Sequence, residues 1–558
     1  LQLLCKCKLT VSMGAHMKIF TLLDWNILIL FFIVLGSIIW WVIKQKQESS
    51  EDYFLAGRNL GWFVIGASIF ASNIGSEHIV GLAGTAADSG MVMGHYELHS
   101  WIILLLGWVF VPFYLRSTVF TMPEFLERRY SEHSRWILTI ITLISYILTK
   151  VSVTVYAGAV VFQTLMGIEF WSGALLIVLI TGAYTILGGL RAVIYTDALQ
   201  AIVLIIGSVT ITIIGLFKIG GWGNMVSAVG SSHFNMFLPA DHPDFPWIGM
   251  VFAPPIIGIW YWCTDQYIVQ RVLSAQNETQ ARRGTIFAGY LKLLPIFMFF
   301  IPGLIAYAMS KSGQLTYASS DQVFPTLVRE LLPSGMRGLV AGGLLAALMS
   351  SLSSVFNSCS TLFTMDIYKK LKPEASEKTL ILVGRVATGI IVITGILWIP
   401  LMKVVSNGGL YKYLQSVQAY IAPPIAAVFL LGLFWSRINS KGALAALIGG
   451  FSAGMLRLAL EINKSNLSGF WYDFADLNFL YFAIFSFLAC IALMIAVSLI
   501  TPAPDLNRIS GLTYATTSKD DLKDSKSSWE SFDLINSGII ILILALILIY
   551  FSPLGIGG

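Results

Sequence analysis

"GASIFASNIGSEHIVGLAGT", Gly66 to Thr85, is apolar enough to lie in a membrane, yet Ser72, Asn73, Gly75, Ser76, Glu77 and His78 stand at its middle. A helix in hydrocarbon satisfies its backbone internally. Polar, glycine-broken backbone is tolerated at that depth only where it lines a cavity or faces protein. A second stretch has the same character: "FAPPIIGIWYWCTDQYIVQR", Phe252 to Arg271, sets Pro254, Pro255 and Gly258 ahead of Thr264 and Asp265. The two interruptions fall near residues 73 and 258, about five helices apart. Broken helices at matching places in two halves point to a transporter with inverted repeats and a midplane binding site. Glycine and proline are also common in ordinary membrane helices.

Composition agrees with a membrane setting. Of 558 residues, 56% are hydrophobic and 12% charged, against about 25% charged in soluble domains. About fourteen apolar stretches of about 18 residues or more follow one another, so the fold class expected is an all-α polytopic membrane protein. The first, from about Leu22 to Val42, is too long for a signal-peptide core and lacks a small-residue cleavage site. Met17 opens a typical start, which makes residues 1–16 a leader or an addition. Cys5, Cys7, Cys263, Cys359 and Cys490 have no metal spacing beyond a terminal C-x-C, and read as small residues rather than a disulfide frame.

Lys and Arg in the short loops give the orientation. Lys44, Lys46 and Arg58, then Arg116, Arg128 and Arg129, then Arg271, Arg282 and Arg283 alternate along the chain. Lys369, Lys370 and Lys372, then Arg437 and Lys441, continue the pattern, with the polar tail "RISGLTYATTSKDDLKDSKSSWE" on the same side. These loops are expected in the cytoplasm, with both termini outside, together with the sequons at Asn463 and Asn466. The net charge of +5 is small for the length, and no basic patch with interleaved aromatics suggests nucleic acid. Neither G-x-x-x-x-G-K-[ST] nor H-E-x-x-H occurs, so neither an ATP-driven pump nor a zinc protease is indicated. The reading is of a non-enzyme in the plasma membrane (a bacterial inner membrane), with lipid and a small molecule as its partners.

"ALMSSLSSVFNS", Ala347 to Ser358, places Ser350, Ser351, Ser353 and Ser354 within another apolar run. Serine and alanine let helices pack closely, and a serine hydroxyl can bond the carbonyl of its own helix.

The stretches "EDYFLAGRNLGWFVIGASIFASNIGSEHIVGLAGTAA", "TMPEFLERRY", "GGLRAVIYTDALQ", "WYWCTDQYIVQR", "GYLKLLP", "SSLSSVFNSCSTLFTMDIYKK" and "YLQSVQAYIAPPIAAVFLLGLFW" occur in that order between about residues 50 and 440. Together they resemble the solute:sodium symporter family, most of all its sodium/glucose (galactose) cotransporter branch. The resemblance implies a leucine-transporter-type core of five plus five inverted helices, with one helix before it and three after. The chain then divides into residues 17–50, the first helix and loop; 51–435, the transport core; 436–502, two peripheral helices; 503–532, a polar linker; and 533–558, the last helix.

The resemblance also implies sites. A first sodium would be held by the carbonyls of Ala71, Ile74 and Ala347 and the hydroxyls of Ser350 and Ser351. A second would use Asp197, Ser350, Ser353 and Ser354, where the alternative is an interfacial Asp197 hydrated from the cytoplasm. Sugar would be bound by Asn73, His78, Glu97, Ser100, Lys292 and Gln415 around the ring faces of Tyr261 and Trp262. Leu82, Tyr96 and Tyr411 would form the outer lid, and Tyr261 the inner gate. Two departures stand out: relatives carry a sugar-binding side chain where this chain has Gly258, and His78 replaces Gln of some bacterial relatives. The function implied is sodium-coupled symport of glucose or galactose by alternating access, with two Na+ per sugar and no cofactor beyond the coupling ion. Inositol or another polyol is the next substrate. An uncoupled sugar-gated channel or sensor could also use this scaffold.

Overall fold

The computed structural model describes residues 20–45, 49–405 and 410–558, apart from the side chains at 76, 77, 148, 398–405 and 410–412. The expected leader, residues 1–16, and Met17 lie outside the described residues. Fifteen helices organise the chain: α1 Leu22–Ile43, α2 Trp62–Asn73, α3 Ser76–Ser89, α4 Gly94–Ser117, α5 Glu132–Met166, α6 Phe170–Ile219, α7 Trp247–Thr264, α8 Gln266–Leu273, α9 Glu278–Lys311, α10 Met336–Leu371, α11 Glu377–Val405, α12 Leu410–Phe434, α13 Ser440–Ile462, α14 Phe479–Ile500 and α15 Ser531–Tyr550.

Helix α6 has 50 residues. At 1.5 Å per residue it is about 75 Å long, more than twice the hydrocarbon core of about 30 Å, so it contributes two crossings. The joint is Gly189, at φ 57° and ψ −158°. A Cβ there would lie 2.6 Å from the carbonyl oxygen of Tyr53, so glycine is required for both backbone conformation and space. Among the described residues, twelve helices, α6 counted once, are long and apolar enough to span a membrane, and the bent pair α2–α3 makes a further span. With α6 divided at Gly189 there are fourteen, the number the sequence suggests.

The two interruptions sit in corresponding places, one in α2–α3 and one in α7–α8, each opening a run of five spans. They are tied end to end: Leu60 N donates to Ser274 O at 3.1 Å, and Gln276 N to Leu60 O at 3.2 Å. The start of one broken span therefore lies against the end of the other, and the two run in opposite directions. The first break is where the sequence puts it, at Ile74 and Gly75, and bends the span by 56°. The second is displaced. Gly258 is helical, at φ −63° and ψ −40°, and the chain winds on through a π-helical turn, Ile259–Thr264, before breaking at Asp265 (φ −78°, ψ 127°). Pro254 and Pro255 remove two helix amides without ending the helix. Asp265 ends it, because its carboxylate caps α8 by accepting from Tyr267 N at 3.2 Å.

Not every arginine expected in a loop is there. Arg271 and Arg282 are 0% and 1% exposed. Arg129 is also buried and caps the end of α12 and the turn after it, donating to Gly432 O at 2.7 Å, Trp435 O at 3.2 Å and Ile438 O at 3.1 Å. The last helix is fastened by polar contacts to α4 and α9. Trp108 Nε1 donates to Ser537 Oγ at 3.0 Å, Tyr290 OH to Asn536 Oδ1 at 2.9 Å, and Arg283 Nε to Asp533 Oδ1 at 2.9 Å. At its far end Trp222 Nε1 donates to Tyr550 OH at 3.1 Å.

Candidate functional site

The break between α2 and α3 frees backbone oxygens. In a continuing helix the amide of Gly75 would bond Ala71 O and that of His78 would bond Ile74 O. Gly75 N instead donates to Asn73 O at 3.1 Å, and His78 N to Gly75 O at 3.1 Å. The carbonyls of Ala71 and Ile74 thus lose the amides that a regular helix would give them, the condition under which backbone oxygens serve a cation. Helix α10 faces this break. Ser351 Oγ donates to Ser72 O at 3.3 Å, and Ala347 is buried one turn before it. Tyr267 OH, from α8, also reaches Ser72 O. Ser350 turns the other way, donating from Oγ to Asp197 Oδ1 at 2.6 Å.

Asp197, on the second half of α6, is fully buried. Its Oδ2 accepts from Ser68 Oγ at 2.6 Å and Ser72 Oγ at 3.1 Å. Arg271 Nη2 lies 3.7 Å from the same oxygen, and this guanidinium donates from Nε to Ser68 Oγ at 3.2 Å and from Nη2 to Ser354 Oγ. Ser354 and Ser72 share a hydrogen bond of 2.9 Å. The buried carboxylate is thus compensated by an arginine from α8 and ringed by hydroxyls from α2 and α10. Asp197 is therefore placed inside the protein rather than at an interface. Ser353 does not join the ring: its hydroxyl donates to Ser350 O on its own helix at 3.0 Å, a local bond that serine makes readily in helices.

On the other side of the break is a narrow cavity of about 30 Å3. It is lined by Asn73, His78, Tyr96, Glu97, Tyr261, Trp262, Lys292 and Gln415, all expected from the sequence, and by His99, Lys150, Gly258 and Gln418 among others. Lys292, in the turn after the first segment of α9, is its electrostatic centre. Its Nζ donates to Glu97 Oε2 and to Asn73 Oδ1, both at 2.6 Å, and lies 5.4 Å from the centroid of a Trp262 ring. Asn73 Nδ2 donates to Tyr261 OH at 3.2 Å, and His78 Nε2 is 3.7 Å from Glu97 Oε1. A buried carboxylate and ammonium that neutralise each other are sustainable at this depth. Tyr261 and Trp262 stand edge to face, with centroids 5.0 Å apart. Lys150 Nζ sits 4.4 Å from the Tyr261 ring centroid, a cation–π distance. Gln415 Oε1 and Tyr96 OH are buried with no hydrogen-bond partner among the described residues, so both are available to a ligand.

Ser100 and Leu82, although buried, are not among the residues lining the cavity. The side chain of Tyr411 lies outside the described residues. Sequence reasoning missed Arg271, Ser68 and Ser72 around Asp197, and His99, Lys150 and Gln418 around the cavity. Ser68 and Ser72 could have been found from their spacing of four, which places both on one helix face.

The sequence model of the sodium:solute symporter family matches residues 53–450. Sodium/glucose cotransporter 1 of Oryctolagus cuniculus is 39% identical over 531 residues, 87% of this chain and 80% of its own length. Sodium/myo-inositol cotransporter 2 of Bos taurus is 38% identical over 531 residues, covering 88% and 79%. Among solved structures, a substrate-bound, outward-open Na+-coupled sialic acid symporter gives a TM-score of 0.73 at 22% identity, over 87% of this chain and 99% of that one. Mhp1, a nucleobase-cation-symport-1 family transporter, gives 0.50 at 15% identity, over 87% and 100%. The fold is thus the five-plus-five inverted-repeat architecture of leucine-transporter type, in a multi-pass membrane protein. With a match spanning both broken helices and the whole cavity, the chain belongs to the sodium:solute symporter family.

Proposed function

We propose that the protein is a sodium-coupled symporter of a monosaccharide, glucose or galactose before myo-inositol. The observation that carries this reading is the position of Asn73. It lies between Ala71 and Ile74, whose carbonyls are released by the break, while its own side chain is held by Lys292 and Tyr261 inside the cavity. A sodium ion drawing those carbonyls together orders the same residue that faces the sugar, so each ligand favours the conformation that binds the other. Glu97, Lys292, Asn73 and Gln415 supply the donors and acceptors that ring hydroxyls need, and Tyr261 with Trp262 supplies an aromatic surface for C–H groups. Relatives named for glucose, 39% identical, and for myo-inositol, 38% identical, both support a polyhydroxylated ring as substrate.

We propose also that a second sodium binds at Asp197, Ser350 and Ser354. It would displace Arg271 from Ser354 and share the carboxylate while Ser353 reorients. The basic loops would face the cytoplasm, with the start of α1 and the end of α15 outside. The test is uptake of radiolabelled glucose, galactose and myo-inositol into proteoliposomes with imposed sodium gradients. Uphill, sodium-dependent accumulation is expected for one or more of them. Equilibration alone would identify an uncoupled channel or sensor instead.

A further inference from the structure

Gly258 opens the cavity wall, and His99 fills the opening. Gly258 has ordinary helical angles, so its backbone does not demand glycine. Space does: a Cβ there would lie 2.4 Å from Ile102 Cδ1 and 3.0 Å from both Cε1 and Nδ1 of His99. The imidazole is pressed against the glycine and held from the side by Trp262, whose Nε1 donates to His99 Nδ1 at 3.4 Å. With Nδ1 accepting, the ring proton is on Nε2. His99 is 5% exposed and lines the cavity, and its Nε2 has no hydrogen-bond partner among the described residues. A buried N–H without an acceptor is costly, and the cavity offers the place where an acceptor can arrive.

We infer that His99 is a specificity-determining ligand contact: Nε2–H donates to one ring hydroxyl oxygen, and glycine at 258 is the condition that lets it do so. This rests on the sugar reading of the cavity. Trp262 serves two purposes in this arrangement, presenting its ring to the cavity and fixing the tautomer of the residue beside it. Position 258 then sets selectivity without touching the ligand, by deciding whether an imidazole fits against it.

The test is competition binding of glucose, galactose, myo-inositol and the set of monodeoxyglucoses to the full-length protein in nanodiscs at saturating sodium. For the wild type, one monodeoxy analogue should lose about 3- to 10-fold through the missing acceptor. His99→Phe, which keeps a ring in the gap, should weaken glucose by the same factor and leave that one analogue unaffected. Gly258→Ala, with His99 intact but displaced, should give the same pattern, which guards against a misfolded His99→Phe. Sodium affinity should hold in both. Uniform weakening of every analogue, or an unchanged pattern, overturns the assignment of His99 while leaving the sugar reading intact. Wild-type protein that binds none of these polyols overturns the sugar reading, and the inference with it.

Discussion

Asp197 and Arg271 meet at 3.7 Å with neither side chain exposed, and they come from different repeats, α6 and α8. Removing one member of such a pair leaves an uncompensated charge in low dielectric, at about 3–5 kcal/mol. Asp197→Asn and Arg271→Gln should therefore each lower thermal stability in detergent. The double variant should recover most of the loss. Additive losses in that cycle would show that the two charges do not depend on each other.

On the proposal that a second sodium displaces Arg271 from Ser354, the same pair would set how much work the transporter can do. At 100 mV each ion contributes about 2.3 kcal/mol electrically, and a tenfold sodium gradient adds about 1.4. One ion supports roughly 500-fold accumulation of a neutral sugar, and two support more than about 10⁵-fold. The reversal potential of sugar-coupled current, measured at several sodium gradients, should give a ratio of two. A ratio of one would mean that Arg271 is never displaced.

Ser351→Ala removes a hydroxyl that faces the broken helix through Ser72 O. The loss of a hydrogen bond to a charged partner is about 1.5–3 kcal/mol, so the sodium dependence of uptake should shift to concentrations roughly 10- to 150-fold higher. Titration of uptake against sodium gives the value directly, and an unshifted curve places the ion elsewhere.

Gln415→Ala tests the sugar side with little structural disturbance, because Gln415 Oε1 has no hydrogen-bond partner among the described residues. Sugar affinity should fall by about 1–3 kcal/mol while sodium affinity at low sugar holds. Lys292→Ala would be a poorer probe, since it also strands Glu97 and Asn73.

Much of this arrangement was legible in the sequence, and the failures have physical causes. Gly75 and the polar residues beside it mark the first break because nothing else in an apolar stretch explains them. The sequence points to Gly258 for the second break because two prolines and a glycine are stronger signals than an aspartate. Asp265 could nevertheless cap a new helix, and that ended the old one. Arg271 resembles a loop arginine because sequence does not show which charge sits opposite; Asp197 is 74 positions earlier. Ser353 could not be told from Ser354, because one residue of rotation decides whether a hydroxyl meets its own carbonyl or a neighbouring helix. His99 carries no signal in the sequence: its place in the cavity wall depends on the space left at Gly258, and a missing side chain does not announce what fills it.

The attachments of α15 have a mechanical consequence. Asp533, Asn536 and Ser537 are all bonded to α4 or α9, which carry Glu97 and Lys292 respectively. The far end is held elsewhere, Trp222 Nε1 donating to Tyr550 OH at 3.1 Å and Met236 N to Phe551 O at 2.9 Å, so α15 is a strut between the α4–α9 group and the segment that follows α6. A rocking of α4 and α9 about the substrate would tilt or bend this strut between its two anchors, and a spectroscopic label on an exposed position midway along it, such as Leu542, would follow the transport cycle without entering the pathway.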